Sequence, residues 1–279
     1  IAFCSGRTGL GTEDIYVMDA DGGNVRNLTD HPDRDVGPSW SPDGELIAFW
    51  TDRDGAGDIY VMDADGSDQR RLTDHPSRDI SPSWSPDGLQ IAFCTDRDGN
   101  QQIYVMDTDG SNLRNLSRPR SNDSSPAWCP DGRQIAFELG EGMNKDIYVM
   151  DASGANQRKL VGGGLHPSWS PDGRQIAFMS GREGGFNVFA MDVNGKNLRN
   201  LTQRGAYDAE PSWRQNGREL AFVSDRVDPF EVNDIWVMDA DGDNQRNLTN
   251  HPSINRFPAF YDPAGLAVSP VGKRALTWG

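Results

Sequence analysis

The chain has 279 residues, with 27 lysines and arginines against 42 aspartates and glutamates, and a formal net charge of −15 at pH 7. The arginines recur beside aspartates rather than along a basic groove, so composition excludes nucleic acid as a partner. No apolar run is long enough to cross a bilayer, which excludes membrane insertion.

A unit of about 44 residues recurs along the chain. Each unit contains in order "PSW", the turn "SPDG", the segment "IAF", the segment "DIYVMD" with the turn "DADG", and "QRNLT". Short apolar segments bounded by Gly, Pro, Asp or Asn predict four antiparallel strands per unit. Apolar residues never keep helical spacing for three turns, so the sequence predicts an all-β protein.

The second and third strands of each unit are nearly continuous in apolar residues, which indicates sheets covered on both faces. Repeated four-stranded sheets of this kind predict one β-propeller over residues 1–279, with six four-stranded antiparallel blades. The predicted blades are blade 1 at 1–29 plus about 257–270, blade 2 at 37–73, blade 3 at 81–117, blade 4 at 125–160, blade 5 at 166–202 and blade 6 at 210–249.

Ring closure is predicted from the two ends of the chain. The sequence starts at Ile1 in a second strand, so blade 1 needs a first strand from the C-terminal end. Residues 257–265, "FPAFYDPAG", resemble a first strand with its turn, and residues 267–279 match the spacing nearly as well. The sequence leaves open which segment closes the ring.

The pattern "SPDG…IAF…DRDG…IYVMDADG…RNLT" resembles the repeat of the C-terminal propeller of TolB, the periplasmic partner of a peptidoglycan-associated lipoprotein. The resemblance covers essentially the whole chain. It implies six blades, a periplasmic or extracellular location, and a binding function rather than an enzymatic one.

One rim of the propeller is predicted to carry the loops from strand four to strand one and from strand two to strand three. Aspartates on this rim are predicted to ring the channel mouth, except in blades 5 and 1, which have Gly164 and Asn255. The aspartates are Asp35, Asp79, Asp123 and Asp208. The arginines predicted beside them are Arg53, Arg97, Arg182 and Arg226, with Arg7 in blade 1.

Two interpretations of these aspartates stay open. They could cap backbone amides and pair with the arginines blade by blade. Alternatively, they could converge and hold a basic peptide or Ca²⁺ near the axis. No cofactor is required in either case. The "DADG" turns contain Asp and Gly at hairpin rather than EF-hand spacing, so we interpret them as turns.

His166 begins blade 5 close in register to Glu210 of blade 6, and both are predicted to face the channel. Three loops on the same rim depart from the repeat: 140–145, 181–187 and 227–233, the last containing Phe230. Loop variation or partner contact would explain them equally.

The sequence contains no nucleophile elbow, zinc-protease motif or phosphate loop, so we expect a binding protein rather than an enzyme. The leading hypothesis is a monomeric propeller that binds a protein segment, peptide or small ligand at the channel mouth. One alternative is a propeller enzyme, or an enzyme-associated domain, of the polysaccharide-lyase or peptidase-gate kind. The other is a purely structural module of a larger protein. Cys4, Cys94 and Cys129 are predicted to be buried thiols.

Overall fold

A computed structural model describes residues 1–8, 12–118, 121–203, 207–226 and 233–261. Over these residues, the chain forms six four-stranded antiparallel sheets and no helix. The innermost strand of each sheet contacts the innermost strands of both neighbours, so the six sheets are blades around a closed ring. The predicted all-β, six-bladed propeller is confirmed.

The strands of each blade are as follows. Blade 1 contains β1 (Ala2–Ser5), β2 (Asp14–Val17), β3 (Arg26–Asn27) and β24 (Asn255–Ala259). Blade 2 contains β4 (Asp35–Trp40), β5 (Leu46–Thr51), β6 (Asp58–Asp63) and β7 (Arg70–Arg71). Blade 3 contains β8 (Asp79–Trp84), β9 (Gln90–Thr95), β10 (Gln102–Asp107) and β11 (Arg114–Asn115). Blade 4 contains β12 (Asp123–Trp128), β13 (Gln134–Glu141), β14 (Asn144–Asp151) and β15 (Arg158–Val161). Blade 5 contains β16 (Leu165–Trp169), β17 (Gln175–Ser180), β18 (Asn187–Asp192) and β19 (Arg199–Asn200). Blade 6 contains β20 (Asp208–Trp213), β21 (Glu219–Ser224), β22 (Asp234–Asp239) and β23 (Arg246–Asn247).

The core lies between blades, where the second strands pack against their neighbours. The phenylalanine of each "IAF" or "LAF" segment is 0% exposed, as at Phe49 and Phe93. Burying one such side chain contributes about 1.5–3 kcal/mol, so the repeated phenylalanine stabilises every blade interface. Cys4, Cys94 and Cys129 are free and buried as predicted. Burial raises the pKa of Cys94 and of Cys129 to about 12.

Strand β24 closes the ring by pairing antiparallel with β1, with Cys4 opposite Arg256 and Ser5 opposite Asn255. Tyr261 follows this strand, packs against the Trp40 ring at 5.4 Å between centroids, and donates its hydroxyl to the Asp43 carbonyl at 2.7 Å. The first predicted segment, 257–265, therefore supplies the closing strand. Residues 267–279 lie outside the described residues.

The inner strands begin earlier than predicted, for example at Asp79 rather than residue 81. Asp79 pairs with Thr95 of the second strand, and its N–H donates to the Gly57 carbonyl of blade 2 at 2.9 Å. These two contacts extend each inner strand toward the rim. The start of this strand was hard to predict from the sequence because a serine and a proline, which are typical of turns, follow Asp79 within three residues.

The "DADG" turns hold adjacent blades together. A Cβ added at Gly66 would lie 2.7 Å from the Leu28 carbonyl oxygen of blade 1, and one at Gly22 would lie 2.6 Å from the Leu248 carbonyl oxygen of blade 6. Both glycines also have positive φ, at 96° and 92°. The turns therefore require glycine for blade packing, which supports their interpretation as hairpin turns.

Candidate functional site

The six inner strands share one backbone irregularity at the rim of the channel. In each strand, pairing with the second strand shifts register at a β-bulge, and a left-handed residue is followed by proline. The left-handed residues are Gly37 (φ 67°), Ser81 (55°), Ser125 (50°), His166 (50°), Glu210 (52°) and Phe257 (52°). We call these six the mouth positions.

The mouth positions have equivalent backbones but different side chains. A left-handed conformation costs a residue other than glycine about 1–2 kcal/mol, and only blade 2 has glycine here. Blades 3 and 4 have serine, whereas blades 5, 6 and 1 have His166, Glu210 and Phe257. The mouth is therefore divided into a small-residue arc (Gly37, Ser81, Ser125) and a large-residue arc (His166, Glu210, Phe257).

The mouth positions line a cavity of about 300 Å³. Trp50 and Ile80 add apolar wall beside the small-residue arc, and the six prolines that follow the mouth positions form its floor. The same prolines line a second cavity of about 320 Å³ at the other end of the channel, with Trp40, Trp128 and Trp169. The Trp169 indole N–H donates to the Ala127 carbonyl of blade 4 at 3.0 Å, so this tryptophan bridges adjacent blades.

Glu210 places a carboxyl group in the mouth. Its Oε2 accepts the Phe257 backbone N–H at 2.7 Å, which links blade 6 to blade 1. Burial raises the pKa of Glu210, and the nearby His166 and the Phe257 N–H only partly offset that effect. A carboxyl group with a raised pKa in a cleft is typical of functional sites, although structural networks also produce it.

His166 is held by a buried polar network in blade 4. Its backbone N–H donates to Glu138 Oε1 at 2.7 Å, and Lys145 Nζ lies 2.8 Å from Glu138 Oε2. Ser124 Oγ donates to the same Oε2 at 2.9 Å. Burial alone would raise the pKa of Glu138, but the charges of His166 and Lys145 and their hydrogen bonds leave it lowered.

The His166 ring faces the mouth. Its edge meets the Phe257 ring at 6.3 Å between centroids, and its side chain is about one third exposed. Nδ1 is buried and has no hydrogen-bond partner. The structure therefore brings His166 and Glu210 into one cavity with Phe257.

The four predicted aspartates lie beneath the mouth, two residues before the mouth position of their blades, and all are 0% exposed. Three pair with the arginine of the same blade: Asp35 with Arg53 at 2.7 Å, Asp79 with Arg97 at 2.9 Å and Asp208 with Arg226 at 2.8 Å. The structure does not bring the aspartates together. This corrects the predicted ring of carboxylates at the mouth: a buried carboxylate needs a partner, and the arginine of its own blade is the nearest one.

Blade 4 differs, because Asp123 accepts a hydrogen bond from Ser121 Oγ at 2.7 Å instead of pairing with an arginine. In blade 5, Arg182 donates to the Gly162 carbonyl at 2.8 Å, and in blade 1 Asn255 accepts from Ser5 Oγ at 2.9 Å. Within the described ranges, no three His, Cys, Asp or Glu side chains are grouped as ligands for a metal ion. Phe230 lies outside the described residues.

Sequence reasoning found His166 and Glu210 but missed Phe257, Glu138 and Lys145. A signal for Phe257 was present. The residue before the proline of each first strand is the one that changes in an otherwise uniform segment, from "GPSW" to "SPSW", "HPSW", "EPSW" and "FPAF". No comparable signal identified Glu138, which replaces the Trp50 of blade 2 within a second strand.

The fold and mouth define a closed six-bladed propeller with one asymmetric channel opening. A model of the TolB β-propeller domain matches residues 1–75, 54–121, 72–166, 117–233 and 162–260. The chain therefore belongs to the TolB β-propeller family. No curated protein matches it significantly.

Solved structures show the same fold. The protein assigned as TolB in Agrobacterium tumefaciens is 26% identical over 81% of this chain and 84% of its own, with a TM-score of 0.71. TolB from Acinetobacter baumannii is 22% identical over 92% of this chain, which spans 65% of that protein, with a TM-score of 0.81. An oligogalacturonate lyase solved with manganese is 16% identical over 86% of this chain and 72% of its own, with a TM-score of 0.59. The last two likenesses show the fold alone.

Proposed function

We propose that this propeller is a non-enzymatic binding module that holds a protein segment or peptide at the channel mouth. One observation carries the proposal: six equivalent mouth positions carry different side chains, and five of them are strained. Glycine would form the same bulge at lower cost. Left-handed residues other than glycine persist where surrounding structure enforces them and cluster at binding sites.

The mouth fits a segment that inserts an apolar side chain beside a hydrogen-bond donor or positive charge. Trp50, Ile80 and Phe257 supply apolar surface, and Glu210 supplies a carboxyl group. The net charge of −15 favours the approach of a basic segment over an acidic one. Membership of the TolB propeller family supports a protein segment over a small molecule.

The test uses peptides selected from a displayed library on the wild-type protein. Their affinities are then measured by calorimetry for Glu210→Gln, Phe257→Ala and the matched control Ser125→Ala, which changes the small-residue arc without changing its backbone strain. We expect the first two substitutions to weaken binding about tenfold or more, and the control to change it less than about twofold. Equal affinity for all three variants would place the binding surface elsewhere.

An enzymatic role is the second candidate, because one cavity contains a histidine with a free ring nitrogen and a carboxyl group with a raised pKa. The binding proposal expects no turnover of acidic oligosaccharides or of peptides. Turnover that His166→Ala abolishes, in a variant that melts like the wild type, would favour the enzyme.

A further inference from the structure

A repeated arginine site lies on the same rim as the mouth. In blade 3, the Arg97 guanidinium lies over the Phe93 and Tyr104 rings, 5.7 and 5.0 Å from their centroids. Its Nε donates to Thr95 Oγ1 at 3.2 Å, and its Nη2 contacts Asp79. We call this set of an arginine, two rings, a hydroxyl and an aspartate the arginine unit.

Five blades fill the two-ring site with their own arginine. Blades 2 and 6 repeat the whole unit, with Arg53 and Arg226. In blade 1, Arg7 lies 5.5 Å from the Phe3 and Tyr16 centroids, and in blade 5, Arg182 lies over Phe178 and Phe189. An arginine over two rings is therefore present in five blades, and the whole unit with its aspartate in three.

Blade 4 has the two rings and the aspartate of the arginine unit but no arginine at the equivalent position. Phe137 and Tyr148 have the ring geometry of their counterparts, at 5.9 Å and 39° against 6.2 Å and 42° in blade 3. Leu139 pairs with Asp123 where Thr95 pairs with Asp79, so Leu139 replaces the hydroxyl. Two residues later, Glu141 replaces the arginine and reverses its charge.

Among the described residues, no arginine or lysine is paired with Asp123. The carboxyl group is 0% exposed, and its buried Oδ1 has no hydrogen-bond partner. Asp35 and Asp208 also leave one buried oxygen without a partner, but their other oxygen accepts an arginine, whereas the other oxygen of Asp123 accepts the Ser121 hydroxyl. Burial raises the pKa of Asp123, and the nearby hydroxyls and Arg118 offset this only in part.

Two described cations near this site, Arg118 and Lys145, bind other groups. Arg118 donates to the Gln157 carbonyl at 3.0 Å, and Lys145 binds Glu138 and Ser124. Tyr148 is half-buried, as Trp236 of blade 6 is, whereas Tyr104 is 8% exposed. Glu141 is exposed at the edge of this face of blade 4.

We propose that blade 4 binds an arginine side chain of a partner protein segment, with the guanidinium over the Tyr148 ring and bonded to Glu141 above Asp123. An aromatic face beside a buried carboxylate is the environment of Arg53, Arg97 and Arg226, and it suits a planar guanidinium better than a lysine ammonium. This site is separate from the channel mouth. None of its residues is a mouth position. The variants that test it leave the mouth positions unchanged.

The experiment uses the peptide acetyl-Gly-Arg-Gly-amide as the probe and its citrulline analogue as the uncharged control. The protein carries [¹³C]tyrosine, and Tyr148→Phe identifies the Tyr148 resonance. We expect the arginine peptide to shift the Tyr148 resonance saturably, with a Kd of about 1 mM or tighter, and the citrulline peptide to bind at least about tenfold more weakly. The Tyr104 resonance should not move, because Arg97 already occupies that site.

The double variant Leu139→Thr with Glu141→Arg builds a complete arginine unit in blade 4, as in blades 2, 3 and 6. We expect it to melt at or above the wild-type temperature and to lose the peptide-induced shift of Tyr148. The single variant Glu141→Gln should bind the arginine peptide several-fold more weakly than the wild type. The proposal is overturned if the two peptides shift Tyr148 equally, if the double variant binds as the wild type does, or if Tyr148 does not respond to about 10 mM arginine peptide.

Discussion

Blades 3 and 4 are built from nearly the same sequence and differ most at the rim. Both have a left-handed serine before proline, a buried aspartate at the start of the inner strand, and a Phe–Tyr ring pair. In blade 3 the carboxylate and rings enclose Arg97, whereas in blade 4 no arginine of the described part of the chain is paired with the same groups. In the proposal above, the same set of residues stabilises blade 3 through an internal cation and, in blade 4, binds the arginine of a partner.

The largest expected effect comes from removing the internal cation of blade 3. Arg97→Ala leaves Asp79 buried without its partner, and loss of one member of a buried pair costs about 3 kcal/mol or more. Urea denaturation should show this loss, whereas Glu141→Ala in blade 4 should change stability by less than about 0.5 kcal/mol. Adding Asp79→Asn to Arg97→Ala should recover part of the loss. If both alanine substitutions lowered stability equally, an internal cation would not distinguish blade 3 from blade 4.

A second effect follows from the raised pKa of Asp123. A carboxyl group whose pKa is higher in the folded than in the unfolded state stabilises the fold below the unfolded pKa, and this contribution disappears as the pH rises through the folded pKa. The stability of the wild type relative to Asp123→Asn should therefore fall as the pH rises from about 4 toward neutrality. Urea denaturation at a series of pH values measures it.

Asp172 provides a control of opposite sign. Hydrogen bonds from Ser170 Oγ at 2.7 Å and from the Arg174 N–H at 3.0 Å lower the pKa of Asp172. Its contribution is present above the unfolded pKa and disappears as the pH falls through the lower folded value. The stability of the wild type relative to Asp172→Asn should therefore rise with pH. Parallel trends for the two variants would contradict the assigned environment of Asp123.

A smaller effect on stability is expected at the mouth positions, where blades 3 and 4 should behave alike. Ser81 and Ser125 have φ values of 55° and 50°, so glycine at either position relieves left-handed strain but increases the entropy of the unfolded chain. We expect Ser81→Gly and Ser125→Gly each to stabilise the protein by about 0.5–1 kcal/mol, by the same amount within error. Thermal and urea denaturation measure this effect. A difference between the variants would indicate that the two blades hold their mouth positions differently.

The sequence predicted the fold because it repeats: strand order, blade number and ring closure all follow from one unit seen six times. Pairing of the aspartates with arginines of their own blades was one of the two interpretations left open, and His166 and Glu210 were predicted to face the channel. The aspartates were predicted at the mouth instead of beneath it, because a position along a strand does not give the direction of the side chain. In each inner strand, the β-bulge directs the residue before the proline into the channel. Where an aspartate stands two residues earlier, it stays inside the blade. Glu138 was missed because its role depends on a contact between blades, with the His166 N–H, that no local pattern contains.

The smallest expected effect concerns calcium, which the four aspartates were predicted to hold if they converged. Three of them are bound by arginines in separate blades, and Asp35, Asp123 and Asp208 each leave one buried oxygen without a hydrogen-bond partner, fewer in total than the six to eight oxygen ligands that Ca²⁺ takes. We expect excess chelator to leave the melting temperature of the wild type unchanged, and Ca²⁺ added after chelation to leave it unchanged too. A chelator-dependent fall of several degrees that calcium reverses would show that a metal stabilises the folded state by binding it, and would require a ligand set other than these aspartates.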